Sequence, residues 1–129
     1  MSADHLNTIL RGCDFAVHHA DPRFPTGVVR ILGVSSSGVG KVGKAYWGAY
    51  SASKFGIESL SQMVAAEHEH TAVRSNCINP GPVRTRMRLE AYPAEDRDKV
   101  PEPKDILAGY VYLLSTDSRA ITGQSFDIQ

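Results

Sequence analysis

Two short runs, the β-branched "VVRILGV" at 28–34 and "AVRSNCI" at 72–78, stand on either side of a proline-free stretch, 45–70. The first run is bounded by Gly27 and a serine tract, the second by "NPGP", so both have the length and punctuation of strands. The stretch between them carries Phe55, Ile57, Leu60, Met63 and Val64 and is predicted to be one long helix. A strand, a long helix and a second strand in that order imply a parallel pair joined by a crossover.

The flanking segments extend that pattern. Leu6, Ile9, Leu10, Cys13, Ala16, Val17 and Ala20 recur at helical spacing, which predicts an amphipathic helix over 5–20, ended by Asp21-Pro22. Pro103 opens a third helix whose apolar face is Ile106, Leu107, Tyr110, Val111, Leu113 and Leu114. "ITGQSFDI" reads as a last short strand. The expected fold is therefore α/β, a single domain over 1–129 with about three parallel strands and helices on both faces. Residues 79–103 hold five prolines and read as a loop, and a loop of that length in a compact domain suits a lid.

Lys plus Arg number 14 and Asp plus Glu number 14, so no net charge marks the chain for nucleic acid or an anionic membrane. No apolar run approaches the roughly 18 residues of a membrane span. The first residues, "MSADHLNTIL", lack the basic and apolar regions of a signal peptide. Cys13 and Cys77 form no CxxC, which fits reduced thiols and a cytoplasmic protein. "EHEH" at 67–70 and His18-His19 match no ligand spacing, so no metal is expected.

"GVGKVG", 38–43, has the spacing of a dinucleotide-binding fingerprint, G-x-G-x-x-G. That fingerprint requires an acid at the end of the next strand, and Glu58 falls inside the long helix instead. A phosphate-binding P-loop fails at Ser35 and Val42, and a serine-hydrolase elbow fails at Ser37.

The chemistry points to the helix that follows. Tyr50 and Lys54, in "YSASK", are four apart and share a helix face. A cation one turn away favours a phenolate, which would lower the tyrosine pKa from its usual value near 10. Such a tyrosine can exchange a proton with an alcohol or an alkoxide. Ser37 lies beyond the carboxyl end of the first strand, where open α/β sheets bind ligands, and its hydroxyl could hold a substrate oxygen.

The order strand, "SSSGVG", "YSASK", long helix, strand, "NPGPVRT" resembles the short-chain dehydrogenase/reductase family. Members carry a catalytic serine, usually thirteen residues before the tyrosine of Y-x-x-x-K, and then N-P-G-x-x-x-T. Counting back from Tyr50 gives Ser37, with Ser36 as the alternative. "WGAYSASKFG", "NCINPG" and "DSRAITGQSFDIQ" are similar to a bacterial subgroup of uncharacterised oxidoreductases. The resemblance runs from residue 28 onward and covers the second half of a member. It implies a partial Rossmann-like, doubly wound sheet without the N-terminal half that grips adenine and pyrophosphate.

What the resemblance implies is hydride transfer between NAD or NADP and a small carbonyl or alcohol substrate. Tyr50 would be the proton donor or acceptor. Lys54 would lower its pKa and bind the nicotinamide ribose, and Ser37 would orient the substrate oxygen. Pro80, Gly81 and Val83 would lie against the nicotinamide and Thr85 would bond the cofactor, under a lid over 84–103. Met87, Leu89 and Tyr92 would be the lid's substrate-facing groups. Members often carry an active-site asparagine on the preceding helix; Ile9 stands at the expected place, with Asn7 close by. Association as a homodimer or homotetramer through the helices at 5–20 and 45–70 is implied too. The alternative is a truncated, catalytically inactive homologue acting as a binding or dimerisation module.

Overall fold

The computed structural model describes residues 29–36 and 38–129, together with the backbone of residues 15–18. Four strands form one sheet in chain order: β1 Phe15–His18, β2 Arg30–Val34, β3 Arg74–Asn79 and β4 Ser125–Asp127. Strands β2, β3 and β4 run parallel, with Val34 beside Ile78 and Ile78 beside Phe126. The helices among the described residues are α1 Gly48–Glu67, α2 Arg86–Ala91 and α3 Leu107–Leu114, with 3-10 turns at Arg97–Lys99, Pro103–Ile106 and Thr116–Ser118.

Strand β1 corrects one expectation. Residues 15–18, inside the helix expected over 5–20, pair antiparallel with β2, Phe15 opposite Gly33 and His18 opposite Arg30. Four residues are too few for an apolar run to distinguish the two periodicities, and the open edge of β2 offers a row of backbone groups that a strand satisfies. The remainder of 5–20, Asn7 and Ile9 included, lies outside the described residues.

Neighbouring strands share faces, so their register sorts the side chains. Gly33 and Cys77 are partners and face α1: a Cβ at Gly33 would stand 3.0 Å from Ile57 Cγ1 and 3.1 Å from Cys77 Sγ. Leu32 and Ile78 face the other way and are buried with Leu113 of α3, against Val34, Tyr110, Leu114, Phe126 and Ile128. Fully burying such aliphatic side chains contributes about 1.5–3 kcal/mol each. Helices α1 and α3 therefore cover opposite faces, although β2→β3 and β3→β4 step in the same direction. The two crossovers must have opposite hands, so one departs from the right-handed norm.

The face that α1 buries is small and polar rather than apolar: Ser51, Ser53, Lys54, Ile57, Glu58, Ser61 and Ala65. Ser61 Oγ lies 3.0 Å from Ser75 Oγ, and Ser125 Oγ donates to Glu58 Oε1 at 2.8 Å. Phe55 and Met63, which suggested the helix, are 42% and 52% exposed, so their apolar surface lies outside this core. The helix starts later than residue 45 because Tyr46 sits at φ 71°, a left-handed conformation that a helix cannot include.

The proline-rich segment is also more ordered than a loop. Thr85 Oγ1 accepts from the Arg88 backbone N–H at 3.2 Å and caps α2, while Arg86 pairs with Glu90 one turn on at 2.8 Å. Arg84 N–H donates to the Pro101 carbonyl at 2.8 Å, closing 84–101 at its base. Pro103 begins a 3-10 turn, and α3 follows at Leu107.

Candidate active site

The site lies at the carboxyl ends of β2, β3 and β4. Beyond β2, Ser35 N–H donates to the Ile78 carbonyl at 2.8 Å and carries the chain along the end of β3. The glycine loop then folds back. Gly40 N–H donates to the Ser36 carbonyl at 2.6 Å, and a Cβ at Gly40 would come within 2.6 Å of that oxygen and 2.9 Å of Ser35 Oγ. Only glycine fits there. Val39 is buried, and its carbonyl accepts from Ser51 Oγ at 2.7 Å, fastening the loop to the first turn of α1.

That attachment sets Tyr50 beside the serine tract. Tyr50 is half-exposed, its ring 5.7 Å from that of Trp47. Trp47 thus acts as packing, with Lys44 Nζ 5.6 Å from its ring centre. Ser37, the residue that the count to Tyr50 selects, lies outside the described residues. Lys54 is buried one turn beneath Tyr50, its Nζ 5.6 Å from the tyrosine ring centre and donating to the Val34 carbonyl at 2.8 Å.

The electrostatics correct a second expectation. The Tyr50 phenol is pushed above its ordinary value rather than below it. Partial burial is the largest cause; the Ser36 hydrogen bond opposes it, and Tyr92 raises it further. Desolvation of the phenolate here outweighs the stabilisation that a cation one turn away was expected to provide.

The end of β3 forms the second wall. Asn79 Nδ2 donates to Asp127 Oδ1 at 2.7 Å, and Asn79 Oδ1 accepts from Gly81 N–H at 3.1 Å. Gly81 sits at φ 67°, so the turn through Pro80 and Pro82 needs glycine. The Gln129 carboxamide closes over it, donating to the Pro80 carbonyl and, at 2.9 Å, to the Pro82 carbonyl. Lys41 of the glycine loop approaches Asp127 at 4.0 Å, which joins the two walls. Val83 follows, half-buried, and Thr85 is engaged as the α2 cap. Asp127 and Gln129 lie 47 residues or more beyond their partners, and no short motif signals them.

Among the described residues no cluster of three or more His, Cys, Asp or Glu is arranged to hold a metal. No helix there is long and apolar enough to cross a membrane.

Three parallel strands with a serine tract, a Tyr-Lys pair and an N-P-G turn gathered at their ends define a class, and comparison with known proteins agrees. The family model described as enoyl-(acyl carrier protein) reductase matches residues 3–129. The chain belongs to the short-chain dehydrogenase/reductase family. It is 50% identical over 95 residues to the uncharacterised oxidoreductase YciK of Escherichia coli K12, covering 74% of this chain and 37% of that protein. It is 35% identical over 107 residues to human (3R)-3-hydroxyacyl-CoA dehydrogenase, covering 76% and 40%. A short-chain dehydrogenase from Escherichia coli CFT073 in complex with NADPH superposes with a TM-score of 0.72 at 49% identity, covering 76% of this chain and 40% of that one. A short-chain dehydrogenase from Salmonella enterica serovar Typhi gives 0.73 at 48%, with the same coverage. The chain thus spans well under half the length of these four relatives.

Proposed function

We propose that the chain is the catalytic segment of an NAD(P)-dependent oxidoreductase that interconverts a carbonyl and an alcohol, with Tyr50 as the proton donor or acceptor. The observation that carries this reading is the half-exposed Tyr50 phenol standing over the Lys54 ammonium at the strand ends. The residues present fit the nicotinamide end of such a cofactor. They offer a buried ammonium and a phenol at the mouth. Pro80, Gly81 and Val83 form the wall for that ring, Lys54 and Tyr50 the contact to its ribose, and Thr85 a further bond. A bound NAD(P)H would supply the hydride; the Escherichia coli relative holds NADPH.

The chain's own residues handle the proton. With its pKa raised, Tyr50 is a neutral phenol at physiological pH and is set up as an acid, which suits carbonyl reduction. In that direction the carbonyl carbon gains the hydride and the carbonyl oxygen takes the Tyr50 proton, leaving an alcohol and a phenolate. The Lys54 ammonium beneath the ring stabilises that phenolate as it forms. A serine hydroxyl orients the substrate oxygen. The count to Tyr50 favours Ser37, with Ser36 as the alternative. Exposed Phe55 and Met63 on α1 are the surface through which two copies would associate.

Titration with NADH and NADPH, followed by nucleotide fluorescence, tests the cofactor half of this reading. Saturable binding weakened by Lys54→Met is the expected result; binding indifferent to Lys54 argues against it. Oxidation of NADPH by a panel of aldehydes and ketones tests the activity, and a binding or dimerisation module would show none.

A further inference from the structure

The turn after β3 is held from outside by the end of β4. In Asn79-Pro80-Gly81-Pro82 the two prolines have no N–H, so the turn's own donors are those of Asn79 and Gly81. Gly81 N–H goes to Asn79 Oδ1 at 3.1 Å. The Pro80 and Pro82 carbonyls instead accept from a single group, the Gln129 carboxamide, the second at 2.9 Å. A primary amide nitrogen carries two N–H donors, enough for both. Gln129 is itself held in register. Ile128 N–H donates to the Asn79 carbonyl at 3.1 Å, and Asn79 Nδ2 to its strand partner Asp127 at 2.7 Å. A Cβ on Gly81 would stand 3.0 Å from Gln129 Cδ and 3.1 Å from Gln129 Cβ, so the side chain lies directly on the glycine.

This bridge controls two peptide planes. The Pro80 carbonyl belongs to the plane entering Gly81, and the Pro82 carbonyl to the plane entering Val83. Between them the Pro82 ring fixes one torsion, which leaves φ and ψ of Gly81 and ψ of Pro82 soft. Glycine is the residue with the most backbone freedom, so an unbridged turn is loosest at the proposed nicotinamide wall. One side chain that bonds both carbonyls closes a ring around those three torsions. A trans peptide points its N–H opposite to its C=O, so drawing the Pro82 carbonyl to Gln129 also turns the Val83 N–H away from it.

We propose that Gln129 is a positioning residue: by bridging the Pro80 and Pro82 carbonyls it fixes the Gly81–Val83 wall against which the nicotinamide lies. The inference rests on the NAD(P) reading and deepens it. It adds a side chain that touches neither the Tyr-Lys pair nor the reacting atoms and acts through the turn.

The test compares the natural chain with Gln129→Met, which keeps the length of the side chain and removes its donors. Gln129→Glu, whose carboxylate has no donor either, repeats it. Amide hydrogen exchange followed by NMR reports the turn with no ligand present, and Gly81 is expected to exchange about tenfold faster in both variants. The Ser75 and Cys77 amides, bonded to Thr122 Oγ1 and the Gln124 carbonyl, stay protected if each variant is folded. Nucleotide fluorescence reports the site with reduced nicotinamide mononucleotide, which carries only the nicotinamide end. Its dissociation constant is expected to rise about tenfold, whereas a role in stability alone would leave the affinity of folded protein unchanged. Unchanged Gly81 exchange in both variants overturns the bridge. Faster exchange with unchanged affinity overturns the positioning role, and so does tighter binding, which would mean that the carboxamide occupies ground the nicotinamide needs. A natural chain that binds neither this nucleotide nor NADPH overturns the NAD(P) reading, while Gly81 exchange still decides whether Gln129 holds the turn.

Discussion

Lys54 Nζ donates to the Val34 carbonyl at 2.8 Å, tying the last residue of β2 to the helix turn beneath Tyr50. The bond places a buried ammonium under the proposed acid and also satisfies a carbonyl at the strand end. Lys54→Met is therefore expected to lower turnover by about 100-fold or more. It leaves the Val34 carbonyl without that donor, which costs about 1–3 kcal/mol. Thermal unfolding beside steady-state rates checks both, and a variant of unchanged turnover would remove Lys54 from the chemistry.

The raised Tyr50 pKa has a direction in pH. In the proposed carbonyl reduction the neutral phenol would be the acid, so the reduction rate should hold through neutrality and fall as pH rises through the folded-state value, above 10. Stability follows the same sign. The contribution is fully present below the unfolded pKa near 10 and is lost as pH rises through the higher folded value. A rate that falls with a midpoint well below 10 would show that a bound ligand, or another group, controls the proton.

Cys77 of β3 is buried beneath α1, beside Gly33, where burial pushes its thiol up to about 12. The thiolate is then a negligible fraction at pH 8, so native protein should leave Cys77 unmodified by iodoacetamide while urea-unfolded protein is labelled promptly. Peptide mass mapping distinguishes Cys77 from Cys13. Rapid labelling of native Cys77 would mean that α1 does not cover β3 as described.

Gly40 and Ser35 test the loop between the serine tract and Tyr50. Gly40→Ala should destabilise by about 1–3 kcal/mol, because its Cβ would press on the Ser36 carbonyl within 2.6 Å. Ser35 Oγ is buried with no hydrogen-bond partner among the described residues, so Ser35→Ala should leave stability unchanged or raise it slightly. Chemical denaturation of the two variants checks the pair. Destabilisation by Ser35→Ala would reveal a bond to its hydroxyl.

Tyr46 spends backbone energy for no visible packing: it sits at φ 71° and is fully exposed. Asparagine adopts that conformation more readily, and Tyr46→Asn should add about 1 kcal/mol of stability. A loss of stability would mean that the Tyr46 ring makes contacts in solution, with a second copy for instance, and analytical ultracentrifugation would show them.

Local signals explain which parts of this architecture were readable from residues alone. β2, α1 and β3 announce themselves because β-branched runs and a proline-free stretch agree with their tertiary roles. Tyr50 and Lys54 are legible because one helix turn brings residues four apart together whatever surrounds them. Residues 15–18 misled because Ala16 and Val17 fit either period, and the sheet edge, a non-local feature, decides their pairing. The lid reads as a loop from its prolines, while α2 arises from a threonine cap and an ion pair one turn apart. Asn79 with Asp127, and Gly81 with Gln129, close the far wall across 48 residues of chain, a distance at which no spacing rule operates. The sign of the Tyr50 shift was equally hidden, since desolvation depends on neighbours that only the folded chain supplies.

The most direct test is the rate of NADPH oxidation with a panel of aldehydes and ketones, compared between the natural chain and Tyr50→Phe. Phenylalanine keeps the ring against Trp47 and removes the proton, so the natural chain should turn over at least one carbonyl compound. The variant should fall by about 100-fold or more, with its thermal unfolding unchanged. A Tyr50→Phe protein that reduces the same substrate at the natural rate would contradict the assignment of Tyr50 as the acid.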